Sequence, residues 1–384
     1  MKATKLFKSF FESEKAGGLV LLVFTVISVI LSNSYFSGNY IAIWHYTIGN
    51  HTAEYWINDG LMAIFFLLIG LELEREIYIG ELSKIKDAIL PIFGAFGGML
   101  FPALLYFAFN FGTKTQSGIG IPMATDIAFA IGILSLLGNK IPVSLKIFLT
   151  ALAVIDDLGA IILIALFYTK TIYFTNLFLS LATFGILLLM NRFKINSLIL
   201  YLIGGVIMWY FMLNSGVHAT ITGVLLAFAI PFDNGSTKTI SYKLQHFLHK
   251  PVAFIIIPLF ALSNTSIAIG KDLFHTISEN YSLGIIFGLV IGKPIGILTF
   301  AYLAVKLKLS ELPKELNWNM IIGVGFLGGI GFTMSIFVAL LAFNDKEIIN
   351  NSKFMILIAS LISGLIGYIW LKYSLKSKLN KSIE

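Results

Sequence analysis

The sequence predicts an all-α polytopic membrane protein with about twelve membrane-spanning helices. Three observations carry this. The 384-residue chain is 57% hydrophobic and 12% charged, with a mean hydropathy of +0.88, well outside the range of soluble domains. Apolar windows of roughly 20 residues recur from end to end. Basic residues then separate into alternate loops.

In chain order, a basic amphipathic stretch, MKATKLFKSFFESEK, runs directly into a first apolar window at 17–35, with no cleavable signal pattern. A polar, aromatic segment at 36–57 follows. Its runs NYIAIWHYTI and HTAEYW meet at Gly49-Asn50 and predict a hairpin on the external face. Such a hairpin can pair with a second copy or cover its own subunit, and it makes a homodimer the expected assembly. Further windows lie at 58–79, 89–109, 121–138, 147–168, 171–190, 195–212, 215–232, 250–271, 283–305, 318–344 and 354–373. The chain is thus expected as one transmembrane domain, 1–384: a first helix and external loop over 16–57, the remaining helices over 58–374, and a tail over 375–384.

One set of alternate loops holds 21 of the 27 basic residues, among them Lys2, Arg75, Lys140, Arg192, Lys238, Lys306 and Lys372. The other set holds only Lys114, Lys170, Lys271, Lys346 and Lys353, and Lys293 stands inside a window. The positive-inside rule places both termini in the cytoplasm, as an even number of spans requires. The net charge of +7 is therefore topology and no sign of nucleic-acid binding. The absence of cysteine excludes disulfides and thiolate chemistry.

The chemistry lies in the few ionisable groups inside windows. In FLTALAVIDDLGAIILIALF, residues 148–167, Asp156 and Asp157 fall near the bilayer midplane, where each Asp costs roughly 2.5–3.5 kcal/mol. Asp126 lies in GIGIPMATDIAFAIGIL, Lys293 in GLVIGKPIGILTF and His218 in NSGVHATITGVLL, while Asp59 and Glu72 bracket the second window. A purely structural network needs one acid per base. Three carboxylates with one lysine instead point to a cation site or proton relay. Neighbouring helical residues point about 100° apart, so one acid of the pair can face a pore while the other pairs with Lys293. A carboxylate at that depth can hold a proton or a small hard cation, and not both at once. Gly118, Gly120 and Pro122 before Thr125-Asp126, and Gly323, Gly325, Gly328, Gly329 and Gly331 in the eleventh window, predict two interrupted helices whose loosened backbone exposes carbonyls and helix ends.

At these residues the chain resembles the NhaA-type Na+/H+ antiporters of bacteria. The matching motifs are INDGLMAIFFLLIGLELERE, PMATDIAFAIGIL, ALAVIDDLGAIILIALFY, SGVHAT, PLFALSNT, GKPIGI and GGIGFTMSIF, in family order over about residues 57–337. The resemblance implies the NhaA fold: twelve helices, inverted repeats, and two interrupted helices crossing near the midplane. It implies Na+ (or Li+) held at Asp157 with Asp156, Asp156 as proton carrier paired with Lys293, and Thr125 and Asp126 at the same site. It further implies electrogenic, pH-regulated exchange of cytoplasmic Na+ for external H+ by alternating access in the inner membrane, with no cofactor beyond the transported ions. Family pH regulation maps here to Glu72, Arg75 and Glu76 with the segment KLQHFLHK at 243–250. Gln245 stands where the family carries an acid and Glu74 where it carries a base, so the charge balance differs. His218, His246 and His249 are candidate modulators, and Asp59 an entrance or structural residue. A K+/H+ exchanger, an uncoupled cation channel and a retinal-type pump are the alternatives; twelve spans weigh against the last, and no nucleophile–base pair or metal-ligand spacing suggests an enzyme.

Overall fold

Where no water reaches the backbone, a chain this apolar satisfies its N–H and C=O groups within helices. The computed structural model describes residues 5–138, 141–169, 171–233, 236, 239–268 and 273–381. Lys2, Lys140, Lys170, Lys238 and Lys271 of the charge pattern, and residues 382–384 of the tail, lie outside the described residues.

Helix α1 (Lys5–Ser32) is followed by α2 (Ser37–His45) and a hairpin of β1 (Thr47–Ile48) and β2 (His51–Thr52). The first half continues with α3 (Ala53–Tyr78), α4 (Ile85–Asn110), a tight 3-10 segment Gln116–Met123, α5 (Ile127–Ser135) and α6 (Val143–Phe167). Then come α7 (Phe174–Arg192), α8 (Leu198–Leu213), α9 (Ile221–Ala229), α10 (Ile240–Asn264), α11 (Leu273–Ser278) and α12 (Asn280–Lys306). The chain ends in α13 (Trp318–Gly328), α14 (Phe332–Ala342) and α15 (Lys346–Lys381). Eight helices are long and apolar enough to cross a bilayer, and two bent pairs, α1 with α2 and α13 with α14, bring the number to ten among the described residues. The windows at 195–212 and 215–232 fold as α8 and α9, only 16 and nine residues long. This is an integral membrane protein whose membrane-crossing elements are all helices among the described residues.

The outer segment departs from the sequence expectation. Most of the run at 39–48, expected as a strand, lies in α2, which is bent by 116° from α1. Tyr40 and Trp44, four apart and both buried, give it a helical inner face. The Tyr40 hydroxyl donates to Ser28 Oγ (2.9 Å) or the Leu262 carbonyl (3.1 Å), tying α2 back onto α1 and α10. The hairpin shrinks to two residues per strand, turning at Gly49 with φ +66°. Lys353, expected in an outer loop, is a second correction: it lies within α15, 4% exposed.

The site is positioned chiefly by α12 running along α4. Their backbones approach through Gly97 and Gly296: a Cβ on either would lie about 2 Å from the other's carbonyl oxygen. This contact lies one turn after Lys293, whose side chain is fully buried. A π-helical turn, Gly288–Gly292, immediately precedes Lys293 and resets its angle on the helix.

Candidate functional site

Two helices break where they meet. After the 3-10 segment, residues 124–126 run extended, and Asp126 caps α5 by accepting a hydrogen bond from Phe129 N at Oδ1 (2.9 Å). Opposite, α13 stops at Gly328 and α14 starts at Phe332, with a 46° bend between them. The two breaks are stitched together. Asp126 N donates to the Ile330 carbonyl (2.7 Å), and Thr333 donates to Asp126 Oδ2 from both its N (3.1 Å) and Oγ1 (2.6 Å). One carboxylate thereby caps the N-termini of both α5 and α14, meeting their orphan N–H groups and positive ends together.

Beside this junction Lys293, fully buried, donates to Asp156 Oδ2 and to Thr125 Oγ1 (2.7 Å). Thr125 Oγ1 also lies 2.6 Å from Asp156 Oδ2 and 2.8 Å from the Gly328 carbonyl, the last of α13. A hydroxyl has one proton, so it serves one of these acceptors at a time. Thr125 thus links the ion pair to the end of a broken helix.

Asp157 takes the other direction. It lines a narrow cavity with Thr125, Asp126, Thr333, Phe65 and Glu72. The cavity volume is about 20 Å³, above the roughly 10–15 Å³ that one water needs. No three His, Cys, Asp or Glu side chains among the described residues converge closely enough to hold a metal ion. The oxygen-bearing side chains lining this cavity are carboxylates and hydroxyls mixed.

The far end of this cavity reaches the second group of sequence-selected residues. Glu72 Oε1 lies 3.4 Å from His249 Nδ1, and Arg75 Nη2 donates to Glu76 Oε1 at 2.5 Å. Glu76 Oε2 accepts from Glu81 N (3.0 Å). Glu74 is buried, and Ser241 and Gln245, four apart on α10, are both buried. Two of the selected histidines fall elsewhere. His246 is exposed and stacks on Tyr242, and His218 bonds through Nε2 to the Tyr168 carbonyl (3.0 Å), away from this cluster. Asp59 sits half-buried in a π-helical turn at the opposite end of α3, its carbonyl accepting from Trp209 Nε1 (3.2 Å). Sequence reasoning missed Thr333; the Thr in GGIGFTMSIF, just past a glycine break, was the available signal.

Comparison with known proteins places the sequence in a family. The family described as Na+/H+ antiporter 1 matches residues 8–371. The chain belongs to that family. A protein named Na(+)/H(+) antiporter NhaA from Flavobacterium psychrophilum is 67% identical over 379 residues, covering 99% of each chain. Proteins of the same name from Cytophaga hutchinsonii and Dechloromonas aromatica are 56% and 54% identical, over 100% and 97% of this chain and 99% and 97% of theirs. The Na+/H+ antiporter 1 match runs from residue 8 to 371 and so takes in both broken helices.

Proposed function

We propose that this protein is a secondary Na+/H+ antiporter, a transporter rather than an enzyme, and that it moves cytoplasmic Na+ or Li+ outward against entering protons. The observation that carries the reading is the division of labour among three buried carboxylates. Asp126 is engaged by two helix ends and Asp156 by Lys293, while Asp157 faces the cavity. In this reading Asp157 is the main cation ligand, and the Asp156–Lys293 pair takes up and releases protons as the cation leaves and enters.

The cavity extends from Asp157 toward Glu72, on the side where the basic loops gather. That favours an inward-facing arrangement in an inner membrane with both termini cytoplasmic. Alternating access follows if the two interrupted helices, tied through Asp126 and Thr125, shift against the rest. Exchange of more than one proton per cation would make the cycle electrogenic. Glu72 with His249, and Arg75 with Glu76, stand at the cavity's cytoplasmic end, where their charge can set pH dependence. The short external hairpin supports a homodimer through pairing with a second copy. No cofactor is needed in this scheme.

The test is addition of Na+, Li+ or K+ to inverted vesicles holding a pH gradient read by a fluorescent probe. Collapse by Na+ and Li+ is expected. Collapse by K+ alone would reassign the cargo, and silence towards all three across the acidic-to-alkaline range would end the reading.

A further inference from the structure

We infer that Thr333 is a cation-selectivity residue, its hydroxyl oxygen supplying a neutral ligand beside Asp157. The inference rests on the exchange reading above and adds a specific residue to it. Thr333 is the second residue of α14 and 5% exposed, and the bend between α13 and α14 brings it to the wall of the cavity that Asp157 lines. Its Oγ1 donates to Asp126 Oδ2 at 2.6 Å. That bond uses the hydroxyl's only proton and leaves oxygen lone pairs as the groups it can offer a cation.

The resulting donor set is chemically coherent. The Asp157 carboxylate and the hydroxyls of Thr125 and Thr333 share one narrow space, and hard oxygens of this kind suit small, weakly polarisable cations. The Thr333 oxygen is also held in place. Its partner Asp126 is fixed by Phe129 N at α5 and by Thr333 N at α14, so the hydroxyl cannot follow an ion of a different radius freely. Selectivity between cations of equal charge depends on cavity size, ligand number and ligand flexibility. A tethered oxygen at this point acts on all three, and Li+ and Na+ differ in radius enough to read its effect.

The experiment compares Thr333→Val, Thr333→Cys and Thr333→Ser in inverted vesicles, measuring apparent KM and maximal rate for Na+ and for Li+ separately. Valine keeps the shape and the backbone bond to Asp126 but removes the oxygen. It is expected to raise KM on the order of tenfold, by unequal factors for the two ions. Cysteine keeps a donor for Asp126 but presents soft sulfur, so the Na+/Li+ KM ratio shifts with the maximal rate largely kept. Serine restores both the oxygen and the wild-type ratio to within about twofold. A role confined to bonding Asp126 would lower the maximal rate for both ions and leave the ratio unmoved. An unchanged ratio in the cysteine variant therefore overturns the inference, including where the valine variant fails to fold. Failure of the wild-type protein to respond to either ion would instead overturn the exchange reading beneath it.

Discussion

Among the described residues two lysines are buried, Lys293 and Lys353, and each meets a carboxylate from a distant part of the chain. Lys293 pairs with Asp156 at the crossing of the broken helices, both fully buried. Lys353, on α15, pairs with Glu54 at 3.4 Å, and Glu54 also lies 3.8 Å from His45 Nδ1. The same chemistry serves different ends. Around Lys293 stand two further acids, Asp157 and Asp126, a shared threonine hydroxyl and a cavity. The Lys353 pair instead joins the segment just after the hairpin to the last helix, with Glu54 still 23% exposed at its side chain. A buried ion pair by itself therefore marks architecture. An excess of acid over base, beside a cavity and a broken backbone, marks a place where charge can be exchanged.

That contrast can be broken by substitution. The largest effect is expected at Asp157: Asp157→Asn abolishes Na+-driven collapse of the pH gradient, with protein yield near wild type because the helix caps at Asp126 remain. Next comes Lys293→Met, which strands Asp156 without its base and costs about 3–5 kcal/mol. It shows as a lower melting temperature and yield, and adding Asp156→Asn recovers part of the loss. If the single variant still exchanges ions, the lysine's role is mainly structural. Glu54→Gln is milder, about 1–3 kcal/mol, because water reaches the half-exposed end of that pair. It lowers the melting temperature and leaves the KM for Na+ unchanged. Smallest for transport is deletion of the hairpin, which yields monomers in detergent by light scattering while exchange in vesicles persists.

The two pairs also differ in how far they could be read from the sequence. The membrane helices were legible because a bilayer demands long apolar runs, and Asp156, Asp157 and Lys293 stood out as charges inside them. The interruptions at 124–126 and 329–331 showed as glycine and proline clusters beside polar residues. Lys353 sits one residue before the apolar window at 354–373 and so reads as a loop lysine, and its partner Glu54 lies 299 residues away. The run at 39–48 reads as a strand because a short apolar run carries no decisive period; only the packing of α2 on Ser28 and the Leu262 carbonyl settles it. Thr333 went unnoticed for a similar reason. Hydroxyls are common in membrane helices, and its bond to Asp126 spans 207 residues.

The most direct test of the contrast is equilibrium Na+ binding to purified protein, measured by calorimetry on wild type, Asp157→Asn and Glu54→Gln. Wild type and Glu54→Gln are predicted to bind Na+ alike, and Asp157→Asn to show no binding heat. Wild-type binding by Asp157→Asn, or its loss in Glu54→Gln, would contradict the assignment of the cation to the acid-rich pair at the broken helices.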